Sequence, residues 1–148
     1  MGIKLKTPET AIQRAVENKA KAIKHAMFTA LSMIGEECIG IARNQGNYKD
    51  QTGNLRSSIG FMVVQDGKVK LRKGFEQVKE GAEGVKTGKK AVAEVAKQFP
   101  EHSVLIVVAG MKYVIYVERL YSKDVLTSAK LHAKTEAKRI MQEVGLIL

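Results

Sequence analysis

The sequence predicts an α+β domain in which a long N-terminal helix and a C-terminal helix pack on a small antiparallel sheet. Three observations predict it. Apolar residues recur every three or four positions through the first third of the chain. Alternating and then continuous apolar runs, with an Asp-Gly turn, occupy the middle. Helical spacing then returns towards the end. At 148 residues the chain has room for one domain. It is expected to span 1–148, with 73–103 as an inserted basic arm containing a short helix.

The first helix has a clear start. Thr7 suits the N-cap, Pro8 the first helical position, and Glu9 brings negative charge to the first turn. Ile12, Val16, Ala20, Ile23, Met27, Leu31, Ile34, Cys38 and Ile41 follow on one stripe, with Arg14, Glu17, Lys21, Lys24 and Glu36 opposite. From Pro8 to Arg43 such a helix is about 54 Å long. A domain of this size cannot bury that length against itself. The expectation is a kink near Gly35 or Gly40, combined with contact between part of the stripe and another subunit.

A loop dense in Asn, Gly and Asp leads to Leu55–Val64, where Leu55, Ser57, Ile59, Phe61 and Val63 are expected on one face of a strand. Asp66-Gly67 predicts a hairpin turn, and Val69–Arg72 a return strand that is apolar on one side and basic on the other. In 73–103 helix is expected only over Lys89–Phe99, before Pro100. Ser103–Ala109 is continuously apolar and β-branched, which predicts a central strand. Gly110–Lys112 turns the chain, and Tyr113–Glu118 predicts a further strand. Thr127–Val144 has helical spacing at Leu131, Ala133, Ala137, Ile140, Met141 and Val144, with Gly145 at the C-cap position. Both long helices are expected on one face of the sheet.

The chain carries 25 Lys and Arg against 15 Asp and Glu, a formal charge of +10. Such a charge attracts nucleic acid, an acidic protein surface or a membrane face. Cys38 is the only cysteine, which excludes an intrachain disulfide and fits a reducing compartment. Its place on the apolar stripe makes it a buried, inert thiol. The opening MGIKLKTPET lacks a signal-peptide core, Lys6 argues against myristoylation, and charges interrupt every long apolar run. A soluble intracellular protein without membrane contact is expected.

Catalytic signals are sparse. Gly84–Lys90 resembles a phosphate loop only superficially, because its glycines are too close and no Ser or Thr follows the lysine. His25, His102 and His132 stand singly, and solvated or satisfied histidines are the expectation. No nucleophile elbow or closely spaced acid dyad occurs. Neither an enzyme, a metal nor a cofactor is therefore expected. Lys68, Lys70, Arg72, Lys73, Lys86, Lys89 and Lys90 are candidates for contact with duplex DNA or an acidic partner, against the commoner outcome of a solvated surface. Without interleaved aromatics or a helix-turn-helix pattern, DNA contact would be to the backbone.

Two stretches are more specific. Thr52, Gly53, Leu55, Arg56, Ser58 and Ile59 enter the first strand, and Tyr113, Tyr116, Val117 and Glu118 follow about sixty residues later. With the flanking helices they resemble a family of tailed-bacteriophage neck proteins, also called tail-completion, tail-component or head–tail joining proteins. Asp124–Ala129 is similar to the version found in phages and prophages of Bacteroides-type hosts. The 73–103 arm is longer than that family's usual connection, and Arg119-Leu120-Tyr121 departs from its pattern. The resemblance implies a virion structural protein assembled in the bacterial cytoplasm as a ring, usually sixfold. Its partners would be copies of itself, the connector or head-closure proteins, and the tail. An Arg56–Glu118 ion pair is one use of two motif residues, and separate solvated charges are the other. The alternative to a neck protein is a small basic DNA-binding protein without sequence preference.

Overall fold

Strand β1 (Ile59–Gln65) is buried along its whole length, and the other elements are arranged around it. The structure, a computed structural model, describes residues 8–44, 47–111, 114 and 124–143. Before β1 come the long helix α1 (Glu9–Asn44) and the short α2 (Asn54–Ser57). After it come β2 (Lys68–Gly74), α3 (Ala82–Ala96), β3 (Ser103–Ala109) and α4 (Thr127–Glu143). The three strands form one antiparallel sheet in the order β2-β1-β3. The fold class is thus α+β, as the sequence predicts.

The hairpin forms at Asp66-Gly67, whose φ angles of 51° and 76° give the two left-handed residues of a type I′ turn. A bulge opposite Val63 and Val64 interrupts the β1–β2 register, so β2 does not keep the strict apolar–basic alternation expected of it.

Both faces of the sheet are covered. On one, Ile59, Leu105, Val107 and Ala109 pack with Ile34, Cys38 and Ala42 of α1 and Ala129 of α4. On the other, Met62, Val64 and Ile106 pack with Phe75 and with Val92 of α3. This corrects two expectations. Helices lie on both faces, and among the described residues β1 rather than β3 is central. The unbroken apolar run of β3 reflects burial on two faces, which an edge strand of a covered sheet shares with a central one.

The 73–103 segment is likewise not a loose arm. Its helix starts at Ala82 instead of Lys89 and forms a full layer of the fold. Glycine is a poor helix former, costing about 1 kcal/mol relative to alanine, so the Gly84–Gly88 stretch hides the helix from a propensity reading. Here the glycines permit close approach. A Cβ on Gly84 would collide with the Asn54 carbonyl. One on Gly88 would sit 2.5 Å from the Ser58 oxygen and 2.7 Å from the Phe75 ring.

Helix α1 is continuous through Gly35 and Gly40, without the break considered from the sequence. Gly35 is a contact point: a Cβ there would lie 2.6 Å from Phe61 Cε2. Only the C-terminal half of α1 contributes buried residues, namely Ile34, Gly35, Cys38 and Ala42. Gln65 Nε2 donates to the Lys24 carbonyl at 2.9 Å, and the Lys24 ammonium bonds to Asp66, marking where α1 passes the hairpin end of the sheet. Residues 8–26 are exposed throughout. The stretch Glu9–Ile23 therefore projects about 22 Å past that end. Helix α4 runs antiparallel beside α1, from Ala129 against Cys38 to Met141 near Ile23. No helix among the described residues is long and apolar enough to cross a membrane.

The close crossing of α3 yields a paired prediction. Gly84→Ala should destabilise the protein by at least about 2 kcal/mol through overpacking. Gly40→Ala, with open space around it, should be stabilising by up to about 1 kcal/mol. Urea unfolding of both variants checks the contrast.

Candidate functional site

The Thr52–Ile59 motif does not enter a strand directly; it builds a junction between α1, the sheet and α3. Gly53 has φ 79°, and a Cβ there would lie 2.7 Å from the Val78 carbonyl carbon, so a left-handed residue without a side chain is needed. Thr52 Oγ1 accepts the Asn54 N–H at 3.3 Å. Asp50, buried, accepts the N–H groups of Leu55 at 3.3 Å and Arg56 at 2.9 Å, satisfying the first turn of α2. Leu55 and Ile59 are fully buried in the α1-side core. Ser58 Oγ donates to the Leu55 carbonyl at 2.7 Å.

Two contacts tie this turn to α3 and the segment before it. Asn54 Oδ1 accepts the Gly84 N–H at 3.0 Å, and Ser57 Oγ accepts the Val78 N–H at 2.8 Å. A third contact ties it to α1. Arg56 Nε donates to the Arg43 carbonyl at 3.0 Å, while Arg43 Nε donates to the Arg56 carbonyl at 3.2 Å. The Arg56 guanidinium also lies 4.9 Å from the centroid of Tyr48, whose hydroxyl donates to the Ala42 carbonyl at 2.8 Å. Burial pushes the Tyr48 hydroxyl up to about 12. Arg43 completes the junction by donating to the Glu76 carbonyl at 2.8 Å. The end of α1, where carbonyls lack helical partners, is thus satisfied by an arginine from the next element.

Arg56 is accordingly a positioning group within the chain. Its guanidinium is engaged by the Arg43 carbonyl, the Tyr48 ring and Asp50. The other half of the motif pair, Tyr113, Tyr116 and Glu118, lies outside the described residues, as do the cap at Gly145 and the strand expected over 113–118 except at Val114, whose backbone is helical instead. Val114, within that stretch, is buried in the core with Ile34 and Cys38. Sequence reasoning missed Asp50, Arg43 and Tyr48. Asp50 carried a signal, a capping side chain shortly before an apolar residue, but its loop is full of such residues.

The seven basic candidates divide between two sides of the sheet. Lys70 lies on the α1 side with Lys21 and Lys24, and Lys68 is the register partner of Gln65, whose side chain bonds to α1. Lys73 bonds to Glu36 of α1. Arg72 is the register partner of Met62, which faces α3. Lys86, Lys89 and Lys90 are exposed on α3 itself. The fold does not gather all seven into one surface. The Gly84–Lys90 segment is interior helix, with no loop to cradle a phosphate.

His132 is a satisfied histidine, one of the two outcomes expected of it. Its Nε2 lies 2.6 Å from Glu37 Oε2, and this partly exposed contact links α4 to α1. Cys38 is fully buried, and burial together with Glu37 pushes its thiol up to about 11. No three His, Cys, Asp or Glu side chains come together among the described residues. The notable surface is apolar. Ile23, Met27, Leu31, Ile140 and Met141 line a groove of about 610 Å³ between α1 and α4. Ile12 and Val16 continue its stripe along the projecting half of α1 and are 42% and 63% exposed. Comparison of the chain with protein-family models, curated proteins and solved structures gives no match.

Two predictions follow from the junction and the thiol. Arg56→Ala should cost about 2 kcal/mol, the worth of a charged hydrogen bond left unmade at a helix end, measurable by urea unfolding. Cys38 should react with a thiol reagent at pH 8 at least about 100-fold more slowly in the native protein than in urea, because both thiolate fraction and access are low. Fast native labelling would contradict its burial.

Proposed function

We propose that this chain is a structural subunit of a tailed-phage neck, working as a ring that joins the head to the tail. The observation that carries the proposal is the projecting half of α1, which holds Ile12, Val16 and Ile23 on one stripe with nothing of the sheet beneath it. An apolar stripe that runs on into a groove between two helices is suited to cover by a helix from a second chain. A heterologous contact of that kind closes a ring when its rotation allows. The Thr52–Ile59 and Tyr113–Glu118 resemblance supplies the phage setting, the sixfold expectation, and the connector and tail as neighbours. The junction supports the role differently. Its polar side chains are spent on holding three elements rigidly together, which serves a part that transmits force between head and tail.

A protein whose sole task was DNA binding would be expected to present its cations as one surface, and the division of the seven candidates between two sides favours the neck reading. The test is mass in solution across concentration, alone and with connector or tail components. Wild type should associate, and Ile12→Glu with Val16→Glu should weaken association more than tenfold, since burying each side chain is worth about 1.5–3 kcal/mol. Both positions are exposed in the monomer, so thermal stability should be unchanged. A chain that stays monomeric in every mixture, with or without the substitutions, would sink the proposal.

A further inference from the structure

The hairpin end of the sheet brings together cations from two elements far apart in sequence. Lys21, Lys24 and His25 of α1 line one shallow depression with Phe28, Gln65 and Lys70. Lys68 is the cross-strand partner of Gln65, whose side chain bonds to α1, so Lys68 shares that side. Four lysines thus share this side of the sheet, and the acid nearby, Asp66, is engaged by Lys24. The bond and charge of Lys24 hold the Asp66 carboxyl below its usual range, and Lys70 and His102 add to the effect. Lys21, Lys68 and Lys70 have no ion-pair partner among the described residues.

We propose that this corner is a contact site for the phosphate backbone of duplex DNA, made without reading its sequence. Three features choose phosphate over an acidic protein surface. All four cations are lysines, which act as mobile point charges; carboxylate recognition favours the bidentate fork of arginine. No exposed Trp, Tyr or Arg stands in the depression to serve as a protein-binding anchor, and Phe28 is half-buried. Lys21 and Lys24 also come from α1 and Lys68 and Lys70 from β2, so the charges are presented by two elements along one depression. The α3 lysines, on the other side of the sheet, have no part in it. The site goes beyond the neck reading and stands without it, because a monomer would carry it equally.

The experiment is anisotropy of a labelled mixed-sequence duplex titrated with the full chain between about 50 and 200 mM salt. Neutralising three or four phosphates predicts a slope of log K against log salt near −3. Lys21→Glu with Lys70→Glu should weaken binding at least tenfold and flatten that slope by about two. Lys86→Glu with Lys90→Glu should leave both within about twofold of wild type, and all four positions are exposed, so folding is retained. A flat wild-type slope would overturn the proposal. So would an equal loss in the α3 variant, or binding to polyglutamate as tight as to duplex at matched salt. Solution mass, which tests the ring, is read separately, so either idea can fail alone.

Discussion

Backbone-to-backbone contact between α3 and the Gly53–Gly60 segment is the constraint on which the rest of the structure depends. Three seven-residue strands present two apolar faces, and α1 with α4 can cover only one of them. The second face needs a helix, and the chain supplies one that approaches closely enough because Gly84 and Gly88 have no side chains to hold it off. With α3 seated, Val92 is buried without remainder and Phe75 closes the layer beside it. The Asn54 and Ser57 side chains then bond groups that a looser crossing would leave unmet. A buried polar group left unmet costs about 1–3 kcal/mol, so the close crossing and the side-chain bonds stabilise each other.

Helix α1 has two physical roles along one continuous stripe. Its C-terminal half is fixed by Phe61 against Gly35, by Cys38 against Ala129 and by Arg56 at its end. Its N-terminal half has none of these, yet keeps the same apolar spacing. A free helix of about 15 residues is marginal in water. Attachment to an anchored helix removes the nucleation cost and keeps the projecting half ordered enough to present Ile12 and Val16. Spacing retained where the sheet gives it nothing to cover is the physical basis for expecting a second chain.

The sequence made the helices and the hairpin legible because their periods are local. Ile12 to Ile41 needs only the 3.6-residue repeat, and Asp66-Gly67 only the positive φ that a type I′ turn demands. Layers are a different matter. Whether a helix covers one face or two depends on how closely Gly88 passes Ser58, and no period encodes a contact between positions 30 apart in the chain. The same holds for the candidate site. Thr52, Gly53, Leu55 and Arg56 stand out as a motif, but strand alternation places Arg56 on the face opposite Leu55 and Ile59. A short turn of helix at Asn54–Ser57 directs it back onto the Arg43 carbonyl instead.

The lysines of β2 tie the two surface readings together. A sheet edge invites pairing with another chain, and charged side chains on it discourage that. Strand β2 carries Lys68, Lys70, Arg72 and Lys73 and is bulged, whereas β3 carries no charge. Copies meeting through β2 would bring like charges into register at low dielectric, which is strongly unfavourable. Closing β2 in this way fits the proposed use of the helical side, where α1 and α4 leave apolar surface, for contact with a second copy. Lys68 and Lys70, unlike Lys73 with its bond to Glu36, have no ion-pair partner among the described residues, so charges that discourage pairing at β2 are also those proposed to meet phosphate.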